Sequence, residues 1–286
     1  MNQVVSKPIW DKAVIVGVGL LGGSIGLALR ARGLARQVIG VGRPGKAPHG
    51  AVTMGALDVA ESLCEMGARN ADLIICCTPV QQIPELVAQC SAVMRPDGLI
   101  TDVGSTKQTI VDLIARTAPH APFVGSHPLA GGTGSGYEHA RADLLIGSLV
   151  VTTPSEGTPP GRVERVEQLW QSLGAYTHRM TPQAHDVALA KTSHLPHIVA
   201  AALAGATSRE LLPLTGSGWQ STTRIASGNA KLWRQILEEN RLPALQALKN
   251  FAKVLEHWQR ALERCDGEEV EALLEAGKAT RDALGS

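Results

Sequence analysis

Short apolar runs alternate with helix-length stretches over the first 180 residues of the chain. The runs fall at 13–16, 38–41, 73–77, 99–102, 123–125 and 149–152. They are predominantly apolar, as expected of strands buried on both faces rather than ones with a wet side. Apolar residues at helical spacing fill the gaps at 24–32, 81–94, 106–117 and 162–173, the last leading to a further short strand around Tyr176. This alternation predicts an α/β domain, a doubly wound parallel sheet covered by helices. From Pro182 the rhythm changes to Ala, Leu, Glu and Lys at helical spacing, punctuated by Pro196, Pro213, Gly216, Gly218 and Pro243, with no strand-like run. An all-helical second domain is therefore expected over 182–286, after a first domain over 1–181. The proline-rich 155–161 reads as a loop inside the first domain, because a boundary there would leave the Tyr176 strand outside its sheet. Helices expected at 242–264 and 268–283 carry apolar stripes wider than a small monomeric domain buries, which points to a homodimer formed through the helical domain.

Composition narrows the function classes. Of 286 residues, 44% are hydrophobic and 19% charged, a balance that excludes disorder and a set of membrane spans. The 27 basic and 26 acidic residues give a formal charge of +1, which supplies no global attraction to nucleic acid or an anionic membrane. With two Phe, two Tyr and five Trp there is no stacking surface for single strands, so neither nucleic acid nor membrane is expected as a partner. Five cysteines, an odd number without a CxxC pair, read as free thiols in a reducing, cytoplasmic setting.

The uncharged 13–29 resembles a signal-peptide core in composition, but glycines interrupt it, and they have a better use. Gly17-Val18-Gly19-Leu20-Leu21-Gly22 matches GxGxxG directly after a buried strand and directly before a helical stretch. In that context Gly17 permits the tight turn, Gly19 lets backbone approach a pyrophosphate, and Gly22 packs helix on strand. The amides around Leu20 and Leu21 then face the phosphates. A Rossmann-type dinucleotide site is the expectation. The acidic residue that would bind the ribose 2'-hydroxyl of NAD is missing, since no Asp or Glu occurs from Lys12 through Leu57. Arg43 and Lys46 stand there instead, which favours NADP over NAD.

Ligands of such sheets lie beyond the carboxyl ends of the strands. Thr78 and Pro79 follow the third run, Ser105 the fourth and His127 the fifth, on one crevice. An imidazole there can take a proton or hydrogen bond from a substrate hydroxyl as hydride leaves the same carbon. The second domain adds Asp186, Ala190, Ser193, His194 and His197 at near-helical spacing. His194 and His197 form HxxH without a third ligand, so no metal is expected. Arg224, in a loop rich in Gly and Ser, has the fork geometry to grip a carboxylate.

Taken together, these segments resemble the prephenate/arogenate dehydrogenases of tyrosine biosynthesis, over nearly the whole chain. The anchors are 17–24, 102–107, 125–131, His185-Asp186, 193–197 and 223–226. The resemblance implies a nucleotide-binding domain followed by an all-helical domain that builds an intertwined dimer, with the active site between them. It implies oxidative decarboxylation of prephenate or arogenate, with hydride transfer to NADP or NAD. His127 then matches the histidine that bonds the ring 4-hydroxyl, and Ser105 the serine that orients it. His197 and His194 match cleft histidines, and Arg224 the carboxylate clamp. Some relatives carry acids where this chain has Thr133 and Ser221, which bears on substrate choice. No room remains after the helices for the regulatory or mutase domains of some relatives. Two alternatives remain on the residues alone. One is a two-domain NADP-dependent hydroxyacid or imine reductase, which would call for a catalytic lysine such as Lys191. The other is a non-catalytic NADP-sensing dimer.

Overall fold

The computed structural model describes residues 8–132 and 134–285. Its first part is one eight-stranded sheet: β1 (Trp10–Val16), β2 (Ala35–Val41), β3 (Val59–Glu61), β4 (Leu73–Cys76), β5 (Leu99–Asp102), β6 (Phe123–Pro128), β7 (Leu149–Thr153) and β8 (Tyr176–Arg179). Helices α1 (Leu20–Ala31), α2 (His49–Thr53), α3 (Cys64–Ala68), α4 (Ile83–Ser91), α5 (Gln108–Thr117) and α6 (Pro160–Ser172) cover it. The strand order is β3-β2-β1-β4-β5-β6-β7-β8. The chain reverses direction across the sheet between β1 and β4, and the ligand crevice of such a fold opens there.

The apolar runs are explained by burial on both faces. One layer packs Trp10, Ile15, Leu29, Leu57 and Trp170, and the other Ile74, Ile83, Val87, Ile100 and Ile114. Each such side chain contributes roughly 1.5–3 kcal/mol by leaving water.

The structure departs from the sequence expectation at three places. The sheet is not wholly parallel, because β7 pairs antiparallel with β6 and β8 then runs parallel to β7. The reason lies in the connections. Parallel neighbours need a helical crossover; α6 provides one between β7 and β8, whereas within 129–148 the described helical structure is a single 3-10 turn, Tyr137–His139. Strand β3 was not anticipated, being three residues long. The fifth strand runs on to Pro128, so His127 sits inside β6, opposite Val151, rather than in the loop after it. Strand β8 ends the sheet beside β7 as an exposed edge.

After Thr181 the chain is helical throughout: α7 (Pro182–Leu189), α8 (Leu195–Ala206), α9 (Ser217–Thr223), α10 (Ala230–Glu239), α11 (Arg241–Glu263) and α12 (Gly267–Asp282). Helices α7 and α8 are joined without a break by a π-helical turn at Ala190–His194. The combined run Pro182–Ala206 is 25 residues long and apolar enough, by length and composition, to cross a membrane. Its inward face, however, carries the buried polar residues His185, Asp186, His194 and His197. Outside, Leu232, Leu242, Leu245, Leu255 and Leu262 stand exposed.

Candidate active site

The glycine turn has the shape its sequence calls for. Gly17 takes φ +94°, and a Cβ there would lie 2.6 Å from the Cys77 carbonyl oxygen and 2.8 Å from Cγ2 of Thr78. A Cβ at Gly22 would meet the Gly17 carbonyl oxygen. At Gly19 a Cβ would touch nothing within 4 Å, so the space above the turn is open. Helix α1 starts at Leu20 with no side-chain cap and no acidic residue in its first turn. The amides of Leu20, Leu21 and Gly22 therefore lack intrahelical acceptors and face a cleft suited to an anion. Thr78 abuts Gly17, with its buried Oγ1 unpartnered, and exposed Pro79 opens the next turn. These features fit a dinucleotide pyrophosphate. At the end of β2, Arg43 and Lys46 pair through their backbones and are exposed. The next carboxylate along the chain, Asp58, is committed to the Val38 amide at 2.7 Å and to Arg30 at 3.1 Å.

On the far side of the crevice a hydrogen-bonded chain joins the two domains. Nδ1 of His127 and Nε2 of His185 are 2.9 Å apart, and Nδ1 of His185 lies 2.7 Å from Oδ1 of Asp186. A carboxylate only accepts, so Nδ1–H of His185 donates to it and Nε2 is left to accept from Nδ1–H of His127. His127 then presents the lone pair of Nε2. Burial, reinforced by His185, Lys107 and His194, holds the His127 pKa well below 6.5, so the ring is a neutral acceptor at neutral pH. Asp186 also accepts the amides of Lys107 (2.8 Å) and Gln108 (2.9 Å), which start α5 in the other domain.

Beneath His127 lies a buried ion pair. Lys107 and Asp102, both 0% exposed, are in direct contact, and Nζ of Lys107 also donates to the Ser126 carbonyl at 3.0 Å. Asp102 accepts the amides of Gly104 and Ser126 as well. The tip of β5 and the middle of β6 are fixed to each other, and Ser105, partly exposed, projects from that tip.

In the helical domain the π-turn re-aims the histidines. Asn240 donates through Nδ2 to the Asp186 carbonyl at 2.7 Å and to Nδ1 of His194 at 3.1 Å. His194 consequently carries its proton on Nε2 and is a donor. His197 stacks on Trp233, with centroids 3.6 Å apart and planes 11° from parallel, and its buried Nδ1 has no partner. Gly228, at the end of the turn that begins with Arg224, lies against both rings. Ser193 is half-buried on the same π-turn. His127, His194 and His197 are thus linked through His185, Asp186, Asn240 and Trp233, while the Arg224 side chain is exposed and makes no ion pair among the described residues. Ser221 bonds the Gly218 carbonyl, and Thr133 lies outside the described residues. Lys191, which a reductase reading would need, is exposed.

Four residues of this network were not assigned from sequence as site residues. His185 is visible there only within the resemblance, and Asp186 only as one of several polar residues at near-helical spacing. Asn240 and Trp233 carry no sequence signal.

Burial lowers the His194 pKa to about 4, against about 6.5 in an unfolded chain. The folded form binds fewer protons between those values, so this contribution to stability is complete above pH 6.5 and is lost as pH falls towards 4. His194→Asn is expected to flatten the dependence of the urea midpoint on pH across that window. An unchanged slope would remove His194 as its source.

A dinucleotide cradle, a neutral imidazole aimed across it and a helical domain closing the crevice define a two-domain nicotinamide-dependent dehydrogenase. Comparison with known proteins gives the family. Residues 25–178 match the prephenate dehydrogenase nucleotide-binding domain, and residues 181–276 the prephenate dehydrogenase dimerization domain. Prephenate dehydrogenase of Bacillus subtilis is 32% identical over 96% of this chain and 76% of its own length. The crystal structure of Aquifex aeolicus prephenate dehydrogenase with hydroxyphenyl propionate and NAD+ superposes with a TM-score of 0.86 at 30% identity, covering 96% of this chain and 98% of that one. Synechocystis arogenate dehydrogenase gives 0.81 at 30% identity, with 96% and 99% covered. The chain belongs to the prephenate dehydrogenase family.

Proposed function

We propose that this protein oxidatively decarboxylates prephenate to 4-hydroxyphenylpyruvate, or arogenate to tyrosine, as a cytoplasmic homodimer in tyrosine biosynthesis. The observation that carries the reading is the chain from Asp186 through His185 to His127, which leaves a neutral acceptor nitrogen facing the crevice. Nε2 of His127 takes the hydrogen bond, and with it the developing proton, of the substrate's ring hydroxyl, while Ser105 orients that hydroxyl. When bound, the nicotinamide accepts the hydride from the carbinol carbon. Loss of the ring carboxylate as carbon dioxide then yields an aromatic ring, which makes the step one-way. The protein's task is accordingly to position and to polarise.

His197, fixed by its stack on Trp233, and His194, a donor through Nε2, line the helical side with Ser193. Arg224 is free to swing onto a substrate carboxylate with its planar fork. Gly17, Gly19, Leu20, Leu21, Gly22, Thr78 and Pro79 hold the dinucleotide. The exposed Arg43 and the engaged Asp58 support NADP as the preferred cofactor, with NAD the alternative. The exposed leucines of α10 and α11 support dimerisation through the helical domain, and a division near residue 181 follows the switch from sheet to helices.

The test is absorbance of reduced nicotinamide, with NADP and NAD each offered prephenate and arogenate. Turnover in any combination upholds the reading, and silence in all four with dinucleotide still bound sinks it. In the same assay Arg43→Ala is expected to lower kcat/KM with NADP about tenfold and to leave NAD little changed, the loss of one charge-assisted phosphate contact of ~1.4 kcal/mol. Equal losses with both cofactors would refute the role of Arg43.

A further inference from the structure

Two of the five thiols meet. Sγ of Cys64, at the start of α3, lies 2.6 Å from Sγ of Cys90 in α4, although 26 residues separate them along the chain. That separation exceeds a disulfide bond by only about 0.5 Å. The two sulfurs differ in environment. Cys90 is fully buried in the apolar layer between helices and sheet, whereas Cys64 is half-buried and reaches solvent. The contact also sets the two thiols apart, the hydrogen bond between them lowering the Cys64 pKa and raising that of Cys90. The pair thus consists of an approachable sulfur that ionises first and a sheltered one beside it, the order a two-step oxidation needs.

We infer that Cys64 and Cys90 form a reversible oxidation site that closes to an intrachain disulfide in the presence of a peroxide. The Cys64 thiolate attacks one peroxide oxygen, forming an S–O bond as the O–O bond breaks, and water leaves with a proton from solvent. Cys90 then attacks the Cys64 sulfur, the S–S bond forms, the S–O bond breaks, and a second water carries away the Cys90 proton. Two thiols are oxidised by two electrons and one peroxide is reduced to water. A dithiol reductant reverses the reaction by exchange. The bond would tie α3 to α4. Those helices follow the ends of β3 and β4, next to Gly42 and to Thr78, so the tie braces the wall of the dinucleotide crevice.

The test treats the full-length protein, with NADP present, with one equivalent of hydrogen peroxide, then alkylates it and digests it with a protease specific for glutamate, followed by trypsin. Cleavage after Glu61, Glu65, Arg69, Glu85 and Lys107 isolates Cys64 on 62–65, Cys76 and Cys77 on 70–85, and Cys90 on 86–107. The expected product joins 62–65 to 86–107, disappears with dithiothreitol, and is absent from both Cys64→Ser and Cys90→Ser. Because closure needs little movement, the oxidised protein keeps its thermal midpoint or raises it by a few degrees. Linkage to 70–85, oxidation of Cys64 without a linked peptide, or a midpoint several degrees lower would each overturn the site.

Discussion

His127→Asn lowers kcat by about 10²- to 10⁴-fold, the usual worth of a positioned proton acceptor, while dinucleotide affinity, read by quenching of intrinsic fluorescence, stays within twofold. The asymmetry follows from position. His127 is held in β6 by Val151 and by His185, on the opposite side of the crevice from Gly17 and Gly22. Asparagine fits the strand and can still donate to Nε2 of His185 through its amide, so the fold is retained and the acceptor at the substrate is lost. The pH profile supplies an independent check. His127 stays neutral until well below pH 6.5, so kcat/KM in the native protein is flat from about pH 6.5 to 8 on the acid side. A midpoint near 6.5 on the acid limb, or a variant with near-native kcat, would remove His127 from the chemistry.

Lys107→Met is the most destabilising substitution expected, costing about 3–5 kcal/mol in urea unfolding. The side chain is 0% exposed and pairs with an Asp102 that is also 0% exposed, so removal strands a carboxylate in an apolar interior. Burial pulls the Lys107 pKa down, and Asp102 is the main group opposing that fall. A loss of this size is a large share of a typical 5–15 kcal/mol. Adding Asp102→Asn to Lys107→Met should recover part of it, because the stranded charge is gone. A single-variant cost below about 1 kcal/mol, or no recovery in the pair, would show that the two charges are not coupled as described.

Most of the sheet was legible in the sequence, for a physical reason. Strand β4 and the Ala13–Val16 stretch of β1 are buried on both faces, and double burial writes an uninterrupted apolar run. β3 was not, because Val59-Ala60-Glu61 is three half-buried residues and no pattern can be read over so short a span. The direction of β7 was equally hidden. It is set by the path of 129–148 between strands, not by the composition of Leu149–Thr153. In the site, the glycine turn was fully readable, since Gly17 and Gly22 are required by contacts that no other residue survives. The placement of His127 within a strand, the π-turn beneath His194, and the stack of Trp233 on His197 were not. A π-turn adds one residue to a helical period that is never integral anyway, and a stacking partner 36 positions away leaves no local trace.

The carboxylate of Asp186 holds two amides of the sheet domain and one imidazole of its own helix, at 2.7 to 2.9 Å. Parting the domains at that spot would strand all of them, and each unpaired buried group costs about 1–3 kcal/mol. The floor of the crevice is therefore a fulcrum. Opening the cleft there costs more than opening it at the rims, so these contacts hold the acceptor nitrogen of His127 in place.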